Sequence, residues 1–166
     1  MATIHTLFGE AANPLEIVER LATAEDWHFD RSADDEISLA VAGAWSDYHV
    51  CFNWHEDLEG LHLACTFDAK VPSSKCDDVA GLMTRINEQL WLGHFDLWRK
   101  EGAILYRSAL LLAGGAEANQ PQCETMLRLA LETSERYYPA FQFVMWAGKD
   151  ADEAIEAALL DTVGHA

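Results

Sequence analysis

Three runs of strict alternation constrain this chain more than anything else in it. Ile37, Leu39 and Val41 alternate with Ser38, Ala40 and Ala42. Tyr48, Val50, Phe52 and Trp54 alternate with His49, Cys51, Asn53 and His55. Leu61, Leu63, Cys65 and Phe67 alternate with His62, Ala64, Thr66 and Asp68. A period of two sends successive side chains to opposite faces, so each run reads as a strand with one apolar and one polar face. The connections are short, Glu56-Asp57-Leu58-Glu59-Gly60 among them. Strands joined this way make an antiparallel meander, and its apolar face has to be covered by something else.

Helices supply the cover. Asn13-Pro14-Leu15-Glu16 is a helix start, with Asn13 as cap, Pro14 at the first turn and Glu16 completing a capping box. Leu15, Val18, Leu21 and Ala22 form its stripe, and a short strand follows at Trp27 to Asp30, ahead of the turn residues Ser32 to Asp35. After Pro72, Val79, Leu82, Met83, Ile86 and Leu90 predict a second helix over 75–91, stopped by Gly93. A hairpin comes next, with Phe95 and Leu97 in one arm, a turn at Lys100-Glu101-Gly102, and a return from Ala103 to Leu112.

The longest helical stripe is Cys123, Met126, Leu127, Ala130, Leu131 and Ser134. Pro139 lacks a backbone donor and clashes with the preceding turn, so a kink or break is expected between Glu135 and Tyr138. Phe141-Gln142-Phe143-Val144-Met145-Trp146 is too apolar for water and should press onto the sheet. Gly148 ends this helix, and Asp150 caps a last one whose Ile155, Ala158 and Leu159 face inward. The order of elements predicts an α+β fold, an antiparallel β-sheet with helices packed on it, in a single domain over 1–166. Its core should hold Ile37, Leu39, Val41, Val50, Phe52, Leu61, Leu63, Leu105, Leu127, Leu131 and Phe141.

Composition narrows the partners. Eleven basic against 28 acidic residues leave a formal charge of −17. Phosphate neutralisation by Lys and Arg underlies nucleic-acid binding, so nucleic acid and anionic membrane surfaces are expected to be repelled and basic partners favoured. Cys51, Cys65, Cys76 and Cys123 include no Cys-x-x-Cys pair, which leaves zinc ribbons and thioredoxin motifs unsupported. Met1 to Glu10 show neither a basic region nor an apolar leader core, and no apolar run reaches membrane-spanning length. The expected compartment is the cytoplasm.

Catalytic signatures are missing from the sequence: no phosphate-binding glycine loop, no nucleophile elbow, no His-Glu-x-x-His. The carboxylates crowd into turns and helix starts, where solvation or capping accounts for them. His49, His55 and His62 share the polar face of neighbouring strands. If Trp54 pairs with Leu63, His55 lies opposite His62 and a metal-dependent hydrolase becomes conceivable; the other register sets Asn53 opposite His62 and loosens the cluster. The favoured reading is no enzyme, no metal and no cofactor. Tyr137, Tyr138 and Phe143, with Phe141, either join the core or line an exposed aromatic groove for a partner.

Two segments carry a resemblance. Leu105-Tyr106-Arg107-Ser108-Ala109-Leu110-Leu111 and Tyr138-Pro139-Ala140-Phe141-Gln142, with the later Trp146-Ala147-Gly148-Lys149, resemble the YbjN family of bacterial sensory transduction regulators. The likeness extends to Trp91-Leu92-Gly93-His94-Phe95 and Asp152-Glu153-Ala154-Ile155. It implies a fold like the type III secretion chaperones, with helices against a strongly bent antiparallel sheet. It also implies a homodimer that binds a protein or peptide partner, in a regulatory or chaperone-like role. Tyr137, Tyr138 and Phe143 are the residues expected to meet that partner. No catalytic residue is implied.

Overall fold

The computed structural model describes residues 13–163, and in the last helix it describes side chains only as far as residue 160. The leader-free reading of Met1 to Glu10, like the ends of the 1–166 domain, lies outside the described residues. The elements are α1 (Leu15–Ala24), β1 (His28–Ala33), β2 (Glu36–Ala42), β3 (Asp47–His55), β4 (Gly60–Lys70), α2 (Cys76–Asn87), β5 (His94–Trp98), β6 (Ala103–Leu111), α3 (Gln120–Trp146) and α4 (Ala151–Val163). Six strands form one antiparallel sheet in the order β1-β2-β3-β4-β6-β5. The meander therefore extends through β4, and the hairpin returns across α2 to set β6 beside β4.

Register fixes the faces. Phe29, Leu39, Val50, Cys65, Tyr106 and Phe95 pair in sequence across all six strands. Phe29 is half-buried at the edge, and the other five are buried in the core. One step along, Asp30, Ser38, Cys51, Ala64, Arg107 and His94 make the matching row on the opposite face. Ile37, Leu39, Val41, Val50, Phe52, Leu61, Leu63, Leu127 and Phe141 are all in the core as the pattern requires. Two residues differ. Leu131 is only half-buried, because its side of α3 borders a cleft. Leu105 is 2 % exposed but pairs with Thr66 and Asp96, so it is buried on the face opposite the helices.

Pro139 does not break α3, which runs unbroken from Gln120 to Trp146. The aromatic residues beyond it account for this. Phe141 packs on Phe67 and Phe95, with ring centroids 5.8 and 5.2 Å apart, and Phe95 also meets Tyr106 at 5.8 Å. Val144 and Met145 are buried on the same side. Burying each large apolar side chain is worth roughly 1.5–3 kcal/mol. Two or three of them offset the ~3 kcal/mol a proline costs inside a helix.

Side chains cap the starts of α3 and α4, the second as the sequence predicts. Asn119 and Gln122 form a reciprocal capping box on α3 at 2.9 Å each way, and Asp150 accepts the Glu153 N–H at 2.9 Å for α4. At α1, Asn13 accepts the Leu15 N–H at 3.0 Å, and no capping box with Glu16 forms. α2 ends at Asn87, short of Gly93. Gly93 serves the next turn: its φ is +71°, and a Cβ there would lie 2.2 Å from the Tyr106 hydroxyl, which donates to the Leu92 carbonyl at 2.8 Å.

Candidate functional site: a groove along α3

Two clefts adjoin on one flank of α3, sharing Leu131 and Glu132. The larger, about 730 Å³, lies between α3, the β2–β3 turn and Leu159 of α4. The smaller, about 440 Å³, lies between α3 and the end of α1 at Leu21, Glu25 and Trp27. The α3 residues that line them run from Glu124 to Arg136. At 1.5 Å per residue this is a groove about 18 Å long. Its wall and floor are apolar, with Val41, Trp45, Leu127 and Leu131 contributing, and its rim is charged.

The chain folds this way locally because of one glycine. A Cβ on Gly43 would lie 2.1 Å from Glu135 Oε1, 2.2 Å from Tyr48 Cε2 and 2.7 Å from the Ser46 carbonyl. Only glycine lets the β2–β3 turn settle onto α3, where Glu135 accepts the Ala44 N–H at 2.6 Å. Tyr48 lies beneath, wholly buried, and its hydroxyl has no hydrogen-bond partner. Burial, and next the Glu135 charge, push that hydroxyl's pKa well up, so it stays protonated. Orphaned buried hydroxyls are rare enough to call for an explanation.

Electrostatically the groove is acidic. Glu25, Glu124, Glu132 and Glu135 stand against Arg128 and Arg136, a balance of two negative charges. Arg128 is engaged by Glu132 at 3.0 Å, and Arg136 lies over the Tyr137 ring at 5.6 Å.

The aromatic candidates lie elsewhere, and none of the three lines these clefts. Tyr137 is a core residue, 3 % exposed and edge-on to Phe95 at 6.1 Å, so it offers a partner no surface. Tyr138 is half-buried against Phe67 at 5.3 Å, and Phe143 is half-buried beneath the Lys149 ammonium at 5.6 Å. The groove residues Trp45, Glu132, Glu135 and Arg136 went unpredicted. The only signal was the i, i+3, i+4 spacing of Arg128, Leu131, Glu132 and Glu135 along one helix flank.

The strand histidines take the looser register. Asn53 pairs with His62, His55 with Gly60 and His49 with Thr66. His62 Nε2 accepts from Arg107 Nε at 3.2 Å, and Arg107 also pairs with Asp96 at 3.1 Å. Burial, then the charge of Arg107, then His94 lower the His62 pKa, so it is neutral at pH 7 and occupied by Arg107. Among the described residues no three His, Cys, Asp or Glu side chains come together as a metal-holding group.

The free edge of β5 is closed to strand addition. Asn87 accepts the Phe95 N–H at 2.8 Å and donates to the Phe95 carbonyl at 3.0 Å. The Leu97 N–H is taken by its neighbour Asp96 at 3.0 Å. Edge strands left open recruit other strands, and these side chains block that route.

Fold and site together define a small α+β protein with an acid-rimmed, apolar groove. Among its described residues no helix is long and apolar enough to cross a membrane. Its sequence matches the YbjN family, "Putative bacterial sensory transduction regulator", over residues 14–143, and the chain belongs to that family. No curated protein matches it. Among solved structures it is similar to the "Crystal structure of YbjN, a putative transcription regulator from E. coli". The match has a TM-score of 0.50 and 11% identity, and covers 91% of this chain and 92% of that one. At that identity the likeness bears on the fold, an α+β arrangement on one antiparallel sheet.

Proposed function

We propose that this protein is a non-enzymatic regulator that works by binding a segment of a partner protein in the groove along α3. The observation that carries the reading is the groove itself: about 18 Å of apolar surface, lined by α3, the end of α1, the β2–β3 turn and Leu159 of α4, and rimmed by charge. Small-molecule sites are normally enclosed, with a few convergent polar groups; this one is long and open. Family membership supports a regulatory role. The four free cysteines suit a reducing cytoplasm. A homodimer belongs to the same reading. Trp91 is fully exposed and Leu92 is 64 % exposed beside a second cleft of about 500 Å³ formed with Leu110 and Met126. Trp91, Leu92 and that cleft together make an exposed apolar patch of the kind a second copy would cover.

Affinity capture from native lysate, run in parallel with wild type and Leu131→Asp, tests the main reading. A partner recovered by wild type and lost by Leu131→Asp, with both proteins folded by circular dichroism, is the expected result. Equal recovery by both would remove the groove from the function. Sedimentation equilibrium at micromolar concentration tests the dimer, and a monomer mass alone would refute it.

A further inference from the structure

We propose that the large cleft is an anchor pocket for a cationic side chain, so that the groove selects segments in which Lys or Arg alternates with large apolar residues. This rests on the partner-binding reading above and adds the chemistry of the partner. Three observations carry it. The cleft sets two carboxylates, Glu132 and Glu135, and one guanidinium, Arg136, which lies over the Tyr137 ring, against an apolar wall that includes Val41 and Leu131, so its own charge balance is one negative. Carboxylates above an apolar wall suit an ammonium or guanidinium, whose charged head meets the acids while its aliphatic stem lies on the wall. Glu135 is already held in place by the Ala44 N–H, so it need not be ordered when a ligand arrives. And the Tyr48 hydroxyl, fully buried and without a hydrogen-bond partner, lines the same cleft with its proton retained.

An acidic occupant is disfavoured twice, by the rim carboxylates and by the −17 charge of the chain. Glu132 is shared with Arg128 at 3.0 Å and Glu135 with the Ala44 N–H, and each keeps acceptor capacity that a neutral apolar occupant would not use. The length fits a short extended segment, since about 18 Å accommodates roughly five or six residues at about 3.3 Å each. The side chains of such a segment alternate, so every second one can enter the apolar trough while its neighbours reach the rim.

Fluorescein-labelled peptides of alternating Lys and Leu, Glu and Leu, and Ser and Leu, read by anisotropy against the full chain, test this. The Lys-Leu peptide should bind, and the combined Glu132→Gln and Glu135→Gln variant should weaken it about tenfold or more, the loss of one good charged contact. The combined Asp57→Asn and Glu101→Gln variant removes two acids that do not line the groove, and should leave binding within about twofold, since distant exposed charges act weakly. Glutamine at 135 can still accept the Ala44 N–H, so an unchanged melting midpoint shows that the fold is kept. Equal weakening by both double variants would mean unspecific attraction to an acidic chain and would overturn the proposal. Tighter binding of Ser-Leu, abolished by Leu131→Asp, would overturn the cationic chemistry while leaving the partner groove standing. No binding by any of the three peptides would overturn both.

Discussion

Glu135 Oε1 accepts the Ala44 backbone N–H at 2.6 Å, joining residues 91 positions apart. This contact ties the β2–β3 turn to α3 one helical turn ahead of Pro139, and shapes the larger cleft. It depends on Gly43, whose own N–H donates to the Ser46 carbonyl at 2.9 Å to close the turn.

Gly43→Ala should therefore destabilise. The new methyl would meet Glu135, the Tyr48 ring and the Ser46 carbonyl at once, and the last of these is backbone. Overpacking of this kind costs about 1–3 kcal/mol, a drop of several degrees in the melting midpoint for a chain of this length. Differential scanning calorimetry checks it; an unchanged midpoint would show that the turn can rise off α3 freely.

Asn87→Ala should both destabilise and promote association. It removes two hydrogen bonds and leaves Phe95 backbone groups unpaired at the edge of the sheet. The loss should be about 1–3 kcal/mol, read from urea unfolding. The opened edge should add concentration-dependent species in sedimentation velocity that the wild type lacks.

Thiol chemistry should single out Cys51. It alone is half-exposed, while Cys65, Cys76 and Cys123 are buried. Burial pushes the Cys65 and Cys123 thiols up to about 11, with little thiolate to react near neutral pH. Cys51 is also raised by burial, so its reaction should be slow but first. Ellman's reagent should titrate one thiol in the native protein and all four in denaturant, and Cys51→Ser should remove the native signal.

His62 should make stability fall in mild acid. Its folded pKa is lowered from the ordinary 6.5, by burial first and Arg107 next. The unfolded chain therefore binds the proton more readily. The contribution is fully present above about pH 6.5 and is lost as pH falls through the lower folded value. Urea midpoints at pH 7.5 and 5.5 should differ less in His62→Gln than in wild type. An equal difference in both would show that Arg107 does not hold His62 neutral.

Much of this architecture was legible in the chain. Alternation over Ile37 to Phe67 sets the strands and their faces, because the side-chain period of two admits only one choice of buried face. The stripes at Leu15 to Ala22 and Cys123 to Ser134, the capping residue Asp150, and the aromatic run after Pro139 likewise follow from local spacing. Tertiary structure decided what spacing could not. It chose the register that puts Asn53, not His55, opposite His62, because the spacing between the two strands in sequence admits either pairing. It carried α3 unbroken through Pro139, because Phe67 and Phe95, distant in sequence, receive Phe141. It buried Leu105 on the unexpected face and Tyr137 in the core, and it built the groove by bringing Gly43 and Ala44 onto Glu135. Local sequence fixes which side of an element is apolar; which surfaces then meet, and what cleft they leave, depends on contacts between residues far apart along the chain.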